Sequence, residues 1–170
     1  NNPEGNFLIF ATKNGRIKRS YLSEYVRINK NGKYALKFAE GEEDSLVSVR
    51  PATEEDHVVL VSGRGNACRF KPAEIKKRID SSTGVEQTTH LVRVQGRVSQ
   101  GVSGMKLETG DKVIGMIVTD DFDTSVLTIT KYGMAKRSRL GSGEMISVVD
   151  ETTGKAVSYT HLRAHETYPH

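Results

Sequence analysis

Short apolar runs recur along the chain at "FLIFAT" (7–12), "HVVLVS" (57–62) and "SVLTIT" (125–130). Each is rich in β-branched and apolar residues, is followed by a glycine turn, and leads into a second short run, a pattern that predicts β-hairpins. Asn14-Gly15 is the strongest short hairpin signal and predicts a type I′ turn, which needs positive φ at both central positions. Arg64-Gly65 and Tyr132-Gly133 keep the glycine, which adopts that backbone without steric cost. Gly15, Gly65 and Gly133 are therefore read as structural turn residues. Only "KPAEIKKRI" (71–79) carries a trace of helical periodicity, and it is short.

The hairpins are copies of one another. Superposing "LIFATKNGRIKRS", "VVLVSGRGNACRF" and "VLTITKYGMAKRS" aligns the three glycines and, four residues on, Arg19, Arg69 and Arg137. A second element also repeats: in "GKYALKFAEGEEDSLVSV" (32–49) and "GVSGMKLETGDKVIGM" (101–116), Gly32, Gly41 and Asp44 fall opposite Gly101, Gly110 and Asp111. Self-similarity of this length signals stacked β units, propeller blades among them. Acids precede each unit (Glu4, Glu55-Asp56, Asp121 and Asp123), where side-chain carboxylates bond nearby backbone in an entering turn. The cluster "TDDFD" (119–123) reads as such a turn in preference to a metal site.

Composition narrows the class. A chain of 170 residues, 36% hydrophobic and with mean hydropathy −0.47, suits about one soluble domain. The longest apolar run, "FLIFA", is far too short to span a bilayer, and "NNPEGN" lacks the features of a signal peptide. The single cysteine, Cys68, forms no internal disulfide and fits a reducing cytoplasm. A net charge of +4 is only mildly basic, but the charge is blocked. Lys13, Arg16, Lys18 and Arg19 surround the first turn without an acid. Arg64, Arg69, Lys71, Lys76, Lys77 and Arg78 gather around and after the second against Glu74 alone, and Lys131, Lys136, Arg137 and Arg139 around the third, again without an acid. Residues 39–57 between the first two blocks hold seven acids against Arg50.

Strand alternation sorts these cations. Ile17 and Arg19 share one face and Lys18 the other; Ala67 and Arg69 oppose Cys68, and Ala135 and Arg137 oppose Lys136. The recurrent arginines have two readings, a stem packed between blades with a hydrogen-bonded head, or a phosphate contact. Lys18 and Lys136 point away from that face, and Lys13, Arg16, Arg64 and Lys131 flank the turns, which makes them better phosphate candidates. Lys71, Lys76 and Lys77 compensate for Cys68 in the middle unit. His57 and His90 have no nucleophile or metal-ligand spacing around them, and "SGRGNACR" is neither a P-loop nor a dinucleotide fingerprint.

From about Phe7 to Leu140 the chain resembles the C-terminal β-pinwheel of bacterial DNA gyrase A, shared with the corresponding chain of topoisomerase IV. The resemblance rests on "FATKNGRIKRSYLSEY", "NGKYALKFAEGEEDSLVSV", "VVLVSGRGNACRFKPAEI", "QGRVSQGVSGMKLETGDKVIGMIV" and "VLTITKYGMAKRS", which run in the family's order. It implies an all-β, propeller-like ring of four-stranded antiparallel blades that binds and wraps DNA, with about two and a half blades here. The expected division is blades at 1–50, 51–118 and 119–140, an insertion at 78–94, and a non-blade tail at 141–170.

Three departures qualify the match. The family's glutamine-glycine box is absent and is expected upstream of Asn1; its nearest counterpart, "QGRVSQG" (95–101), keeps Gln95, Arg97 and Gly101 and adds Arg97 to the DNA-binding candidates. "RIDSSTGVEQTTHLVRV" (78–94) looks like an extra loop or hairpin. The blade pattern stops near Leu140, and the last stretch holds three of the five histidines.

The resemblance also implies what the chain works with. Its partners would be double-stranded DNA, gyrase B and a second copy of gyrase A in a heterotetramer, in the bacterial cytoplasm near the nucleoid and away from membranes. It implies no catalytic residue, metal or cofactor in this stretch, with ATP and Mg2+ acting in gyrase B, within an ATP-dependent type II topoisomerase. The equivalent domain of topoisomerase IV is the near alternative. A protein-binding propeller scaffold is the rival of a different class, and steep salt dependence of DNA binding separates the two.

Overall fold

The computed structural model describes residues 5–79, 84, 86–121, 123–140, 146–149 and 156–159. Two units divide the chain, Asn1–Thr119 and Asp120–His170. The first contains β1 (Phe7–Thr12), β2 (Arg16–Tyr21), a one-turn 3-10 helix (Leu22–Tyr25), β3 (Leu46–Ala52), β4 (His57–Ser62), β5 (Ala67–Phe70), β6 (Ile75–Ile79), β7 (Glu86–His90), β8 (Val102–Ser103) and β9 (Val113–Thr119). The second contains β10 (Ser125–Ile129), β11 (Ala135–Arg139), β12 (Ile146–Val149) and β13 (Ala156–Tyr159). No described residue lies in an α-helix, and no described helix is long and apolar enough to cross a membrane. Residues 75–79, where a helix was conceivable, form strand β6 instead: each is paired across a two-stranded ribbon with β7.

All sheets are antiparallel. One runs β3-β1-β2-β8 and another β5-β4-β9. The three hairpins β1–β2, β4–β5 and β10–β11 share one register, so that Arg19, Arg69 and Arg137 lie opposite Ile9, Val59 and Leu127. The third strands match as well: β3 on β1 and β9 on β4 both shift register at the last pair, beside Thr12 and Ser62. Repetition in sequence is therefore repetition of backbone pairing.

The shared turn is not type I′. In each hairpin the glycine N–H donates to the carbonyl three residues earlier, Gly15 to Thr12, Gly65 to Ser62 and Gly133 to Thr130, all at 3.0 Å. The glycines have φ of 78°, 86° and 83°, while no described non-glycine residue has positive φ. A turn of ordinary helical residues closed by one left-handed glycine fits these values. Asn14, Arg64 and Tyr132 thus avoid the left-handed conformation, which costs a side-chain-bearing residue about 1–2 kcal/mol.

The core of the first unit joins its two main sheets. Ile9, Ala11 and Ile17 pack with Val58, Leu60, Cys68, Val92, Met105, Val113 and Met116. Sheet membership crosses the repeat: β8 follows the second hairpin in sequence but pairs with β2 of the first, Ile17 with Val102 and Arg16 with Ser103. Gly101 and Gly104 permit this approach, since a Cβ on Gly101 would lie 2.5 Å from the Ile17 carbonyl and one on Gly104 2.8 Å from Ile17 Cγ2. Within residues 141–170, the stretch expected to be a non-blade tail, β12 and β13 pair from Ile146–Tyr159 to Val149–Ala156 as a two-stranded hairpin; the remainder of that stretch lies outside the described residues.

The three turn glycines carry different loads. A Cβ on Gly15 would sit 2.6 Å from the Met105 carbonyl oxygen, whereas Gly65 and Gly133 have open space around them. Gly15→Ala is expected to lose well over 2 kcal/mol, from left-handed strain plus a backbone clash, and Gly133→Ala only about 1–2 kcal/mol. Urea unfolding of the two variants checks the order.

Candidate nucleic-acid interface

The first two turns are brought side by side by residues 111–113. The Val113 N–H donates to the Lys13 carbonyl at 2.9 Å, and the Gly63 N–H donates to the Lys112 carbonyl at 2.8 Å. The recurrent aspartates brace each turn. Asp44 Oδ1 accepts the Asn14 N–H at 2.9 Å, and Asp111 Oδ1 accepts the Arg64 N–H at 3.2 Å. Each also accepts the N–H of its own successor, Ser45 or Lys112, at 2.8 Å. One oxygen of each carboxylate is occupied by backbone, as in Asx turns.

Cations gather on this edge. Lys13 and Arg16 are half-buried at the first turn, and Arg64 is exposed at the second. Lys112 is exposed between them and Lys106 beside Gly15, whose carbonyl accepts the Met105 N–H at 3.1 Å. Neither Lys106 nor Lys112 was singled out from the sequence; the signal available was their place in the second repeated element, against the turns. Arg64 bonds Glu108 and the Thr109 carbonyl. Both members of that ion pair are exposed, and such pairs contribute about 0–1 kcal/mol, so phosphate competes with the carboxylate easily.

Lys18 departs from the expectation. Alternation puts it on the face away from Arg19, but that face is roofed. Lys18 is 1% exposed, its Nζ donating to the Ala35 carbonyl at 2.7 Å and to the Arg97 carbonyl, with the amine 5.3 Å from the Phe10 ring centroid. Burial pulls its pKa from 10.5 down to about 8, with the Glu24 carboxylate opposing and Arg97 assisting. Its ammonium is held inside the fold by backbone carbonyls.

Arg19 is also buried, 2% exposed, with its guanidinium 4.4 Å from the Phe7 ring centroid. Its Nε and Nη1 meet no hydrogen-bonding partner, and burial lowers its pKa. Its burial fits the packed-stem reading, with Nε and Nη1 of the head left without partners among the described residues. The covering chain is residues 94–103: Arg19 bridges to Val94, the Gln95 N–H donates to the Arg19 carbonyl at 2.8 Å, and Ser20 Oγ donates to the Gln95 carbonyl at 2.7 Å. Arg69 is half-buried, and burial lowers its pKa; Arg137 is exposed.

The other candidates are spread out. Lys71 pairs with Glu55 at 2.8 Å and Lys77 with Glu86 at 3.2 Å. Arg97 lies 4.0 Å from Glu24 and donates to the Tyr34 carbonyl. Lys76 is exposed on the ribbon. Cys68 is buried, which pushes its thiol up to about 11 and leaves it unreactive. In the second unit, Lys131, Lys136, Arg137 and Arg139 are all exposed on a hairpin that contains no acid between Ser125 and Leu140. Lys131 lies 4.9 Å from the Tyr132 ring centroid. The acids of "TDDFD" serve the entering turn, with Asp121 Oδ1 accepting the Asp123 N–H at 2.9 Å.

Comparison with known proteins agrees with this architecture. The profile of the family described as DNA gyrase C-terminal domain, beta-propeller, matches residues 6–53 and 88–120. The DNA gyrase A protein of Staphylococcus epidermidis (strain ATCC 12228 / FDA PCI 1200) is 32% identical over 173 aligned residues, 96% of this chain and 17% of the relative. Its counterpart in Staphylococcus aureus (strain MRSA252) is similar to the same extent. The chain thus spans 17% of the length of the curated relatives it matches. Among solved structures, the C-terminal domain of DNA topoisomerase IV superposes with a TM-score of 0.64 at 23% identity, over 82% of this chain and 38% of that one. A DNA gyrase A C-terminal domain gives 0.58 at 21% identity, over 92% and 49%. The all-β fold is the β-pinwheel.

The roofed lysine generates a pH signature. Between pH 8 and 10.5 the unfolded chain keeps a proton on Lys18 that the folded chain has released, so this residue makes stability rise with pH across that window. Lys18→Met is expected to flatten that rise relative to the unchanged protein, whereas Lys136→Met leaves it intact. Chemical denaturation at pH 7.5, 9 and 10.5 reads the difference.

Proposed function

The chain belongs to the DNA gyrase C-terminal, β-propeller domain family, and from that premise we propose that it binds and wraps duplex DNA through phosphate contacts. The observation that carries this reading is the recurrence of one turn in one register with cations beside it each time. It is clearest in the acid-free β10–β11 hairpin, where every cation is exposed. Lys13, Arg16, Arg64, Lys106 and Lys112 are the contacts we assign in the first unit, and Lys131, Lys136, Arg137 and Arg139 in the second. Lys18 and Arg19 are withdrawn from the contact set by their burial. Lys71 and Arg97 contribute only if their exposed acidic partners yield to phosphate.

Contacts of this kind read charge and the ease of bending, not base identity. A bent duplex costs several kcal/mol, and a repeating surface offsets that cost at regular intervals. We place the chain as the DNA-wrapping part of a type IIA topoisomerase, of the gyrase A kind, supporting ATP-dependent supercoiling. In that assembly, gyrase B, with its ATP and Mg2+, and a second copy of gyrase A are the proposed partners, in the cytoplasm with the nucleoid. The full-length relatives are named as gyrase A proteins, which favours gyrase over topoisomerase IV.

Four to six phosphates neutralised together give an expected log–log salt slope of roughly −4 to −5, and an affinity loss of about two to three orders of magnitude between roughly 50 and 200 mM salt. Scrambled duplexes of equal composition should bind equally. A slope near zero in a fluorescence-anisotropy salt series favours the protein-scaffold reading instead. Lys136→Glu should weaken binding several-fold at unchanged melting temperature, because that side chain is exposed.

A further inference from the structure

The β6–β7 ribbon belongs to neither main sheet, and the family profile does not match its first strand. Its root is fixed. The Leu91 N–H donates to the Glu74 carbonyl at 2.8 Å, the Val92 N–H to the Pro72 carbonyl at 3.0 Å, and His90 Nδ1 lies 2.9 Å from the Ala73 carbonyl. Pro72 is buried and Val92 sits in the core. Beyond the root, Ile75, Lys76, Lys77 and Ile79, and Glu86 to Thr89 across from them, are all exposed.

The two faces of the ribbon differ. The register Ile75↔His90, Lys77↔Thr88 and Ile79↔Glu86 puts those residues on one side, together with the ribbon's carboxylate, which Lys77 neutralises at 3.2 Å. Lys76, opposite Thr89, and Gln87, opposite Arg78, fall on the other side, which carries no acid among the paired, described residues. A two-stranded ribbon fits the major groove, which is about 12 Å wide. Lysine, glutamine and threonine are side chains that hydrogen-bond purine and pyrimidine edges there.

We propose that the β6–β7 ribbon is a second DNA contact, its Lys76/Gln87/Thr89 face lying in the major groove and touching base edges. This rests on the DNA-binding reading above and adds groove contact to phosphate contact. A purine N7 acceptor is present at every base pair, so such contacts strengthen binding with little dependence on order of bases. Negative charge lining the groove complements Lys76, and Glu86, the carboxylate among the ribbon's described residues, lies on the far face.

The test compares an ordinary duplex with one in which guanine and adenine are replaced by their 7-deaza forms, which lack the N7 acceptor but keep the phosphates. The unchanged chain should bind the 7-deaza duplex about fivefold more weakly, the size of a lost base-edge contact. Lys76→Ala/Gln87→Ala should bind both duplexes alike, at about the weaker of those two affinities, with an unchanged melting temperature. Lys136→Glu should weaken both duplexes by the same factor and so preserve their ratio. Equal binding of the two duplexes by the unchanged chain overturns the ribbon contact and leaves the phosphate reading standing. Failure to bind either duplex overturns the DNA-binding reading and the ribbon contact with it.

Discussion

The Lys18 ammonium group ties together three stretches that are distant in sequence. It projects from β2 and donates to carbonyls at Ala35 and Arg97, so the first hairpin, the loop after the 3-10 helix and the "QGR" segment converge on one buried charge. A buried ammonium is costly unless its donors are used, and two carbonyls plus an aromatic ring answer most of that demand. The same closure covers Arg19 on the opposite face, because residues 94–103 must run along the outer edge of β2 to bring Arg97 into place. β2 is thereby sealed on both faces and one edge. Lys18 and Arg19 became part of the fold.

The second and third hairpins show what the same pattern does without that cover. No strand among the described residues pairs with the outer edge of β5, and Arg69 is only half-buried. Among the described strands β11 pairs with β10, and Arg137 is exposed. One sequence motif therefore yields three grades of arginine burial, set by what crosses the strand and not by the motif. Identical residue types at identical register can be a core element in one hairpin and a solvent-exposed cation in another.

That difference was partly legible. "FLIFAT" is apolar without alternation, and a run of that kind reads as a strand buried on both faces. Its antiparallel partner must then be covered on both faces too, which applies to Lys18 as much as to Arg19. In "SVLTIT" polar residues interrupt the run, and β10 is almost wholly exposed. The repeat, the turn glycines and the all-β class were readable because each rests on local backbone chemistry. The crossing of β8 was not, because it depends on Gly101 and Gly104 meeting Ile17 across more than eighty residues of chain. The turn type was missed for a smaller reason: Asn-Gly favours type I′ locally, but Arg64 and Tyr132 in the sister turns resist positive φ, and all three hairpins share one geometry.

The aspartates that brace the turns bear on how such a surface tolerates its own charge. Asp44 and Asp111 lie within the basic edge, yet each carboxylate is turned inward onto two backbone N–H groups. Backbone donors spread the negative charge, so the lysines around it remain available to solvent and to phosphate. Rigid turns also lower the entropy lost when several cations engage one duplex at once. The acids are thus compatible with the phosphate-binding role we propose for the edge, because they are spent on shape. The exposed pair of Arg64 and Glu108 is the exception, and it sits where competition from a phosphate would release the arginine at little cost.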